Sequence, residues 1–101
     1  MTLEDHVKLQ YWLVEKLKSN NYTHIYQNME YRVQLNNQVF TGEVDVLAKS
    51  PKGKWHFYEV KTSQHKINYA KEQYRRFQNA HPYLDTRGVF VSMKKICFLN
   101  I

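Results

Sequence analysis

The stretch from Val39 to Thr62, VFTGEVDVLAKSPKGKWHFYEVKT, decides how the chain is arranged. Its first half alternates Phe40, Gly42, Val44, Val46 and Ala48 against Val39, Thr41, Glu43, Asp45 and Leu47, the period of a strand with two unlike faces. Ser50-Pro51-Lys52-Gly53 is a turn signal, and Lys54 to Thr62 reads as a second strand rich in aromatic residues. Side chains two apart on a strand share a face, so Glu59 and Lys61 project together while Tyr58 and Val60 point the other way. Asp45 precedes Glu59 by fourteen residues across the turn. The hairpin brings an aspartate, a glutamate and an ammonium to one place.

Working outward, Asn36-Asn37 marks a turn before this stretch, and Tyr31, Val33 and Leu35 alternate in a preceding strand from Glu30 to Leu35. Residues 22–29 fit strand or loop equally. Leu3, Val7, Leu13, Val14 and Leu17 recur with helical period in a first helix that Thr2 can cap, reaching about Lys18 before Ser19-Asn20-Asn21. On the other side, Ser63 can cap a helix from Gln64 to Ala80 with the stripe Ile67, Ala70, Tyr74 and Phe77, which His81-Pro82 ends. Val89 to Val91 and Ile96 to Ile101 supply one or two closing strands. The order α-β-β-β-α-β-β predicts a single α/β domain spanning residues 1–101, with a mixed central sheet flanked by helices.

Composition narrows the function. The 101 residues carry a net charge of +6, and the segment from Lys49 to Arg76 holds eight basic residues and two acids, so the whole excess lies there. Trp55, Phe57, Tyr58, Tyr69 and Tyr74 are interleaved with it. That pattern suits a phosphate-backbone partner, although a solvated lysine-rich surface would read the same way. Cys97 stands alone, which excludes an internal disulfide and a cysteine-rich zinc site. The five histidines lack metal spacing and read as surface or core residues. No apolar run reaches the length of a membrane span, and MTLEDHV lacks the layout of a signal peptide, so the expectation is a soluble cytoplasmic protein without a membrane partner.

Two converging carboxylates form a site for a hard cation such as Mg²⁺ or Mn²⁺, and Lys61 can offset charge that develops during attack on a phosphodiester. Glu-x-Lys alone arises by chance in a chain so rich in both residues. Its context resembles the PD-(D/E)XK nuclease superfamily: Gly42-Glu43-Val44-Asp45-Val46-Leu47, a turn, an aromatic strand ending Glu59-Val60-Lys61-Thr62, then a helix carrying Lys71-Glu72-Gln73. The likeness extends over nearly the whole chain and is nearest in kind to small Holliday-junction resolvases and VRR-NUC nucleases. The superfamily's Pro-Asp dipeptide is missing, since Val44 precedes Asp45.

The resemblance implies a restriction-endonuclease-like core and a Mg²⁺-dependent deoxyribonuclease. Asp45 and Glu59 then look like the metal-binding acids, aided by the Val60 backbone carbonyl, Lys61 like the catalytic lysine, and Gln73 like a glutamine directed at the site. Many relatives add an acid from the first helix; Glu4 and Glu15 lie on one flank and periodicity cannot choose, while the relatives favour Glu4. Glu43 is a third candidate. Lys66, Tyr69, Lys71, Arg75 and Arg76 form the expected DNA-binding surface. A homodimer, with structure-selective or end-directed cleavage, fits the small size. The alternative is a non-catalytic nucleic-acid-binding module on the same fold.

Overall fold

The computed structural model describes residues 3–99, so the proposed Thr2 cap lies outside the described residues. Helix α1 runs Leu3–Ser19, with Glu4 and Asp5 in its first turn and Lys16 and Lys18 in its last, each complementing the helix dipole. Asn21 ends it in the left-handed region at φ 65°. Tyr22 N–H donates to the Leu17 carbonyl and Asn21 N–H to that of Lys18, the pairing of a Schellman cap.

Strands β1 (Thr23–Leu35) and β2 (Gln38–Lys49) form a long hairpin. Its loop is Asn36-Asn37, both at positive φ, 51° and 64°, as a two-residue type I′ turn requires. The ambiguous residues 23–29 are therefore strand. Their alternation was hard to see because His24 and Asn28 adopt positive φ, 50° and 53°, and disturb the ladder. Asn28 does so between the pairs Gln27–Val46 and Met29–Val44, directly opposite Asp45.

Strand β3 (Trp55–Val60) pairs antiparallel with β2, and its register places Val46 against Tyr58 and Lys49 against Trp55. A short 3₁₀ turn (Gln64–Lys66), begun by Ser63 accepting from the His65 N–H, leads into α2 (Ile67–Ala80). This crossover returns the chain to β4 (Thr86–Val91), parallel to β3, and β5 (Ile96–Leu99) closes the sheet antiparallel to β4. The sheet order is β1-β2-β3-β4-β5. Sheet and helices make one compact mixed α/β domain.

Each helix covers one face. Leu9, Leu13, Val14 and Leu17 of α1 pack on Val46, Ala48, Tyr58, Val60, Val89 and Val91. Val7, expected in this stripe, is exposed, and Leu9 takes its place against the sheet. On the opposite face Ala70, Tyr74 and Phe77 pack with Tyr31, Val44, Phe57 and Phe90. Val44 and Val46 thus join opposite cores although they share parity, so the simple alternation read along β2 breaks at Asp45. Two glycines admit aromatic rings: a Cβ on Gly42 would lie 2.4 Å from the Tyr31 ring, and one on Gly88 would lie 2.4 Å from that of Tyr74. No helix among the described residues is long and apolar enough to cross a membrane.

Candidate active site

Asp45 lies where β2 changes face, and Glu59 and Val60 end β3 beside it. The Asp45 carboxylate Oδ2 accepts a 2.8 Å hydrogen bond from the Val60 N–H, in place of a strand partner. Glu59 is only 1% exposed, and its Oε1 is buried without a hydrogen-bond partner. Lys61 Nζ stands 3.3 Å from Glu59 Oε2. A buried carboxylate with one oxygen unpartnered is costly in charged form. Burial first, then the charge of Asp45, pushes the Glu59 pKa up to about 8, while Lys61 pulls the other way. The structure therefore brings Asp45, Glu59 and Lys61 together as their strand positions predict.

Helix α2 contributes the next side chains. Lys61 Nζ lies 4.7 Å from the centroid of the Tyr69 ring, a cation–π contact. Tyr69 also separates two hollows. One, about 240 Å³, is lined by His6, Lys61, Thr62, Ser63, Lys66 and Tyr69. The other, about 340 Å³, includes Tyr31, Glu43, Tyr69, Gln73 and Arg76. Gln73 Oε1 is buried without a hydrogen-bond partner, and the Gln73 backbone carbonyl accepts from the Tyr31 hydroxyl at 3.2 Å. Glu43 is exposed at the rim, and its charge adds to the upward shift of Glu59. Arg75 and Arg76 both reach Glu72, Arg76 at 4.0 Å, and Lys71 lines neither hollow. Of the expected basic surface, Lys66, Tyr69 and Arg76 border the site, whereas Arg75 and Lys71 lie outside these hollows.

The first helix departs from expectation. Glu4 is exposed and pairs with Lys8 at 3.1 Å, and Glu15 pairs with Lys18 at 3.8 Å. Neither acid is directed at Asp45. His6, about 200° around the helix from Glu4, is the residue that faces inward. Its Nε2 donates to the Val60 carbonyl at 2.8 Å and lies 3.7 Å from Asp45 Oδ2. Gln10, one turn on, donates from its side-chain amide to the Asp45 carbonyl at 3.1 Å and to Asn28 Oδ1 at 3.2 Å. The Val60 carbonyl, expected to face a metal, already accepts from His6; a carbonyl oxygen has a second lone pair to offer. The signal for this pair was the spacing of His6 and Gln10 by four, which stacks them beside the Leu13–Leu17 stripe.

No protein-family profile matches the chain, and no curated protein matches it in sequence. Among solved structures, it resembles a repair endonuclease from Pyrococcus abyssi with a TM-score of 0.55 and 16% identity, over 91% of this chain and 38% of that one. It resembles SSO0001 with a TM-score of 0.54 and 18% identity, over 93% of this chain and 50% of that one. The fold is shared with a nuclease. At such identities the likeness concerns the fold, which is consistent with a restriction-endonuclease-like core. The chain spans half or less of the length of either neighbour.

Proposed function

We propose that the protein is a Mg²⁺- or Mn²⁺-dependent nuclease that hydrolyses DNA phosphodiester bonds. The observation that carries this reading is the Glu59 carboxylate, buried beside Asp45 with the Lys61 ammonium, 3.3 Å away, as the donor nearest to it. Burying two acids side by side with a single ammonium between them and solvent is reasonable for a site that receives a further cation. The donor chemistry fits a hard dication held by Asp45, Glu59 and the second lone pair of the Val60 carbonyl, with water completing the shell. Among the described residues no group of three or more His, Cys, Asp or Glu side chains is arranged to hold a metal by itself, so carbonyl and water ligands are part of this reading.

When bound, the metal would supply Lewis-acid polarisation of the phosphodiester and lower the pKa of a bound water. The remaining work falls to the chain. Lys61, held between Glu59 and the Tyr69 ring, orients the attacking water and offsets negative charge as it develops on phosphate oxygens. Asp45 is itself oriented by the Val60 N–H, and His6 and Gln10 fix the strand segments on either side. Gln73 offers an uncommitted amide from α2. Lys66 and Arg76 flank the site on either side of Tyr69 and suit successive phosphates of a DNA backbone.

The test is cleavage of linear, circular, single-stranded and four-way-junction DNA with Mg²⁺, Mn²⁺ or EDTA. Metal-dependent cleavage is expected on structured or free-ended substrates, and Asp45→Ala or Lys61→Ala lowers its rate by about 10²–10³-fold. Unchanged cleavage by both variants sinks the assignment. Salt-sensitive binding with no cleavage under any metal would instead make the protein a binding module.

A further inference from the structure

Helix α1 packs chiefly on β2 and β3. On β5, Ile96 and Phe98 sit opposite Val91 and Val89, which belong to the α1-side core. Residues opposite each other in an antiparallel pair share a face. Yet Ile96 and Phe98 are 57% and 53% exposed, so this side of β5 is left uncovered. Between α1 and this bare edge runs a groove of about 600 Å³ whose apolar lining is Leu9, Trp12, Met93 and Ile96. It continues past Trp12 and Ile96 into a second hollow of about 370 Å³ floored by α1 and the sheet.

The borders of this groove are cationic. Lys8, Lys94 and Lys95 line the first hollow and Lys16 the second, and among the described residues no acid lines either. Lys8 shares its charge with Glu4 on its outer side. Lys16 Nζ lies 5.6 Å from the Trp12 ring centroid within the groove, and beyond its lining on the same face of the sheet Arg87 lies 4.2 Å from that of Phe98. The groove also begins next to the candidate active site. Lys61 N–H donates to the Val91 carbonyl at 2.9 Å, and the chain then turns through Ser92 to Lys95 at the mouth of the groove.

We propose that this groove binds an unpaired nucleic-acid strand leading to or from the site of cleavage. The proposal rests on the nuclease reading for its purpose but not for the binding itself. An unpaired strand offers apolar base faces to Trp12, Met93 and Ile96 and phosphates to the lysines. A duplex conceals its base faces within the stack and has no use for an apolar floor. A second copy of this chain would set the same lysines against one another, which disfavours self-association through this surface.

Binding is measured in EDTA, on the full chain, with a fluorescent oligothymidylate strand and with a hairpin duplex carrying the same number of phosphates. Trp12→Ala weakens strand binding about tenfold, as loss of one stacked base predicts, and leaves duplex binding within about twofold; Trp12→Phe retains most of the strand affinity. Replacing Lys94 and Lys95 by alanine makes the slope of log K against log salt shallower by about 1.4, from two phosphate contacts to a single strand. Thermal melting confirms that the variants are folded. Unchanged strand affinity in folded Trp12→Ala, or an equal loss on strand and duplex, overturns the proposal. So does displacement of the strand at lower concentration by a Glu- and Leu-rich amphipathic peptide, which would assign the groove to an acidic protein partner. Since no metal is present, an inactive but strand-binding protein counts against the nuclease reading alone, and a cleaving protein indifferent to Trp12→Ala counts against the groove alone.

Discussion

On one face of the sheet, aliphatic side chains of α1 lie on valines, an alanine and the single ring of Tyr58; on the other, Tyr74 and Phe77 of α2 interlock with Tyr31, Phe57 and Phe90. The Phe57 and Phe77 rings are 5.1 Å apart, and Tyr31 meets Phe77 edge to face at 5.5 Å. Rings bury more surface per residue than aliphatic chains, and they need room supplied elsewhere, here by Gly42 and Gly88. The aromatic face is therefore tightly keyed, whereas the aliphatic face is smoother and leaves β5 bare. The candidate site lies at the end of the sheet where the faces meet: Lys61, Tyr69 and Gln73 reach it from the aromatic side, His6 and Gln10 from the aliphatic side.

The largest test of this contrast compares core truncations. Phe77→Ala is expected to cost about 3–5 kcal/mol in urea unfolding, and Leu13→Ala about 2–5 kcal/mol but less than Phe77→Ala, since an aliphatic layer closes a cavity more readily. A greater loss at Leu13 would erase the distinction.

Next comes the pH dependence that Glu59 imposes on the metal-free protein. Below about 4.5 its carboxyl is neutral in both folded and unfolded chains; between there and about 8 only the folded protein retains the proton. The stabilisation is therefore present at low pH and is lost as pH rises through about 8, with a slope approaching 1.4 kcal/mol per pH unit from this group. Denaturation midpoints in EDTA across that window should fall for the parent protein, and Glu59→Gln should remove this part of the decline. An identical profile for the two proteins would show that Glu59 is ionised normally.

Gly88→Ala should destabilise by about 1–3 kcal/mol, because the new Cβ meets the ring body of Tyr74. A neutral result, read by thermal melting, would mean that α2 is not held as closely as its rings imply. The smallest effect belongs to His6→Ala, about 1 kcal/mol for the hydrogen bond to Val60. If that variant changed stability no more than an exposed substitution such as Val7→Ala, then α1 would not brace the site.

Much of the arrangement was legible in the chain itself. The meeting of Asp45, Glu59 and Lys61 follows from the pairing of two neighbouring strands across one turn, a local property. Asn36-Asn37 announced its own backbone geometry. The spacing of His6 and Gln10 put them on one flank, but which flank turns inward was not legible, because the rotation of a helix about its axis is set by what it packs against; Val7 and Leu9 competed for the core, and the sheet selected Leu9. Strand β1 was obscured for the opposite reason, since left-handed residues at His24 and Asn28 break the rhythm by which strands are recognised. The face change at Asp45 belongs to the same disturbance, with Asn28 directly across the ladder.

Val60 joins three elements through a single residue: its N–H is held by Asp45 of β2 and its carbonyl by His6 of α1. Its amide hydrogen is thus guarded by an acid that a cation would also claim. Deuterium uptake at that one amide would serve as a native gauge of how firmly Asp45 is engaged, readable without any DNA in the tube.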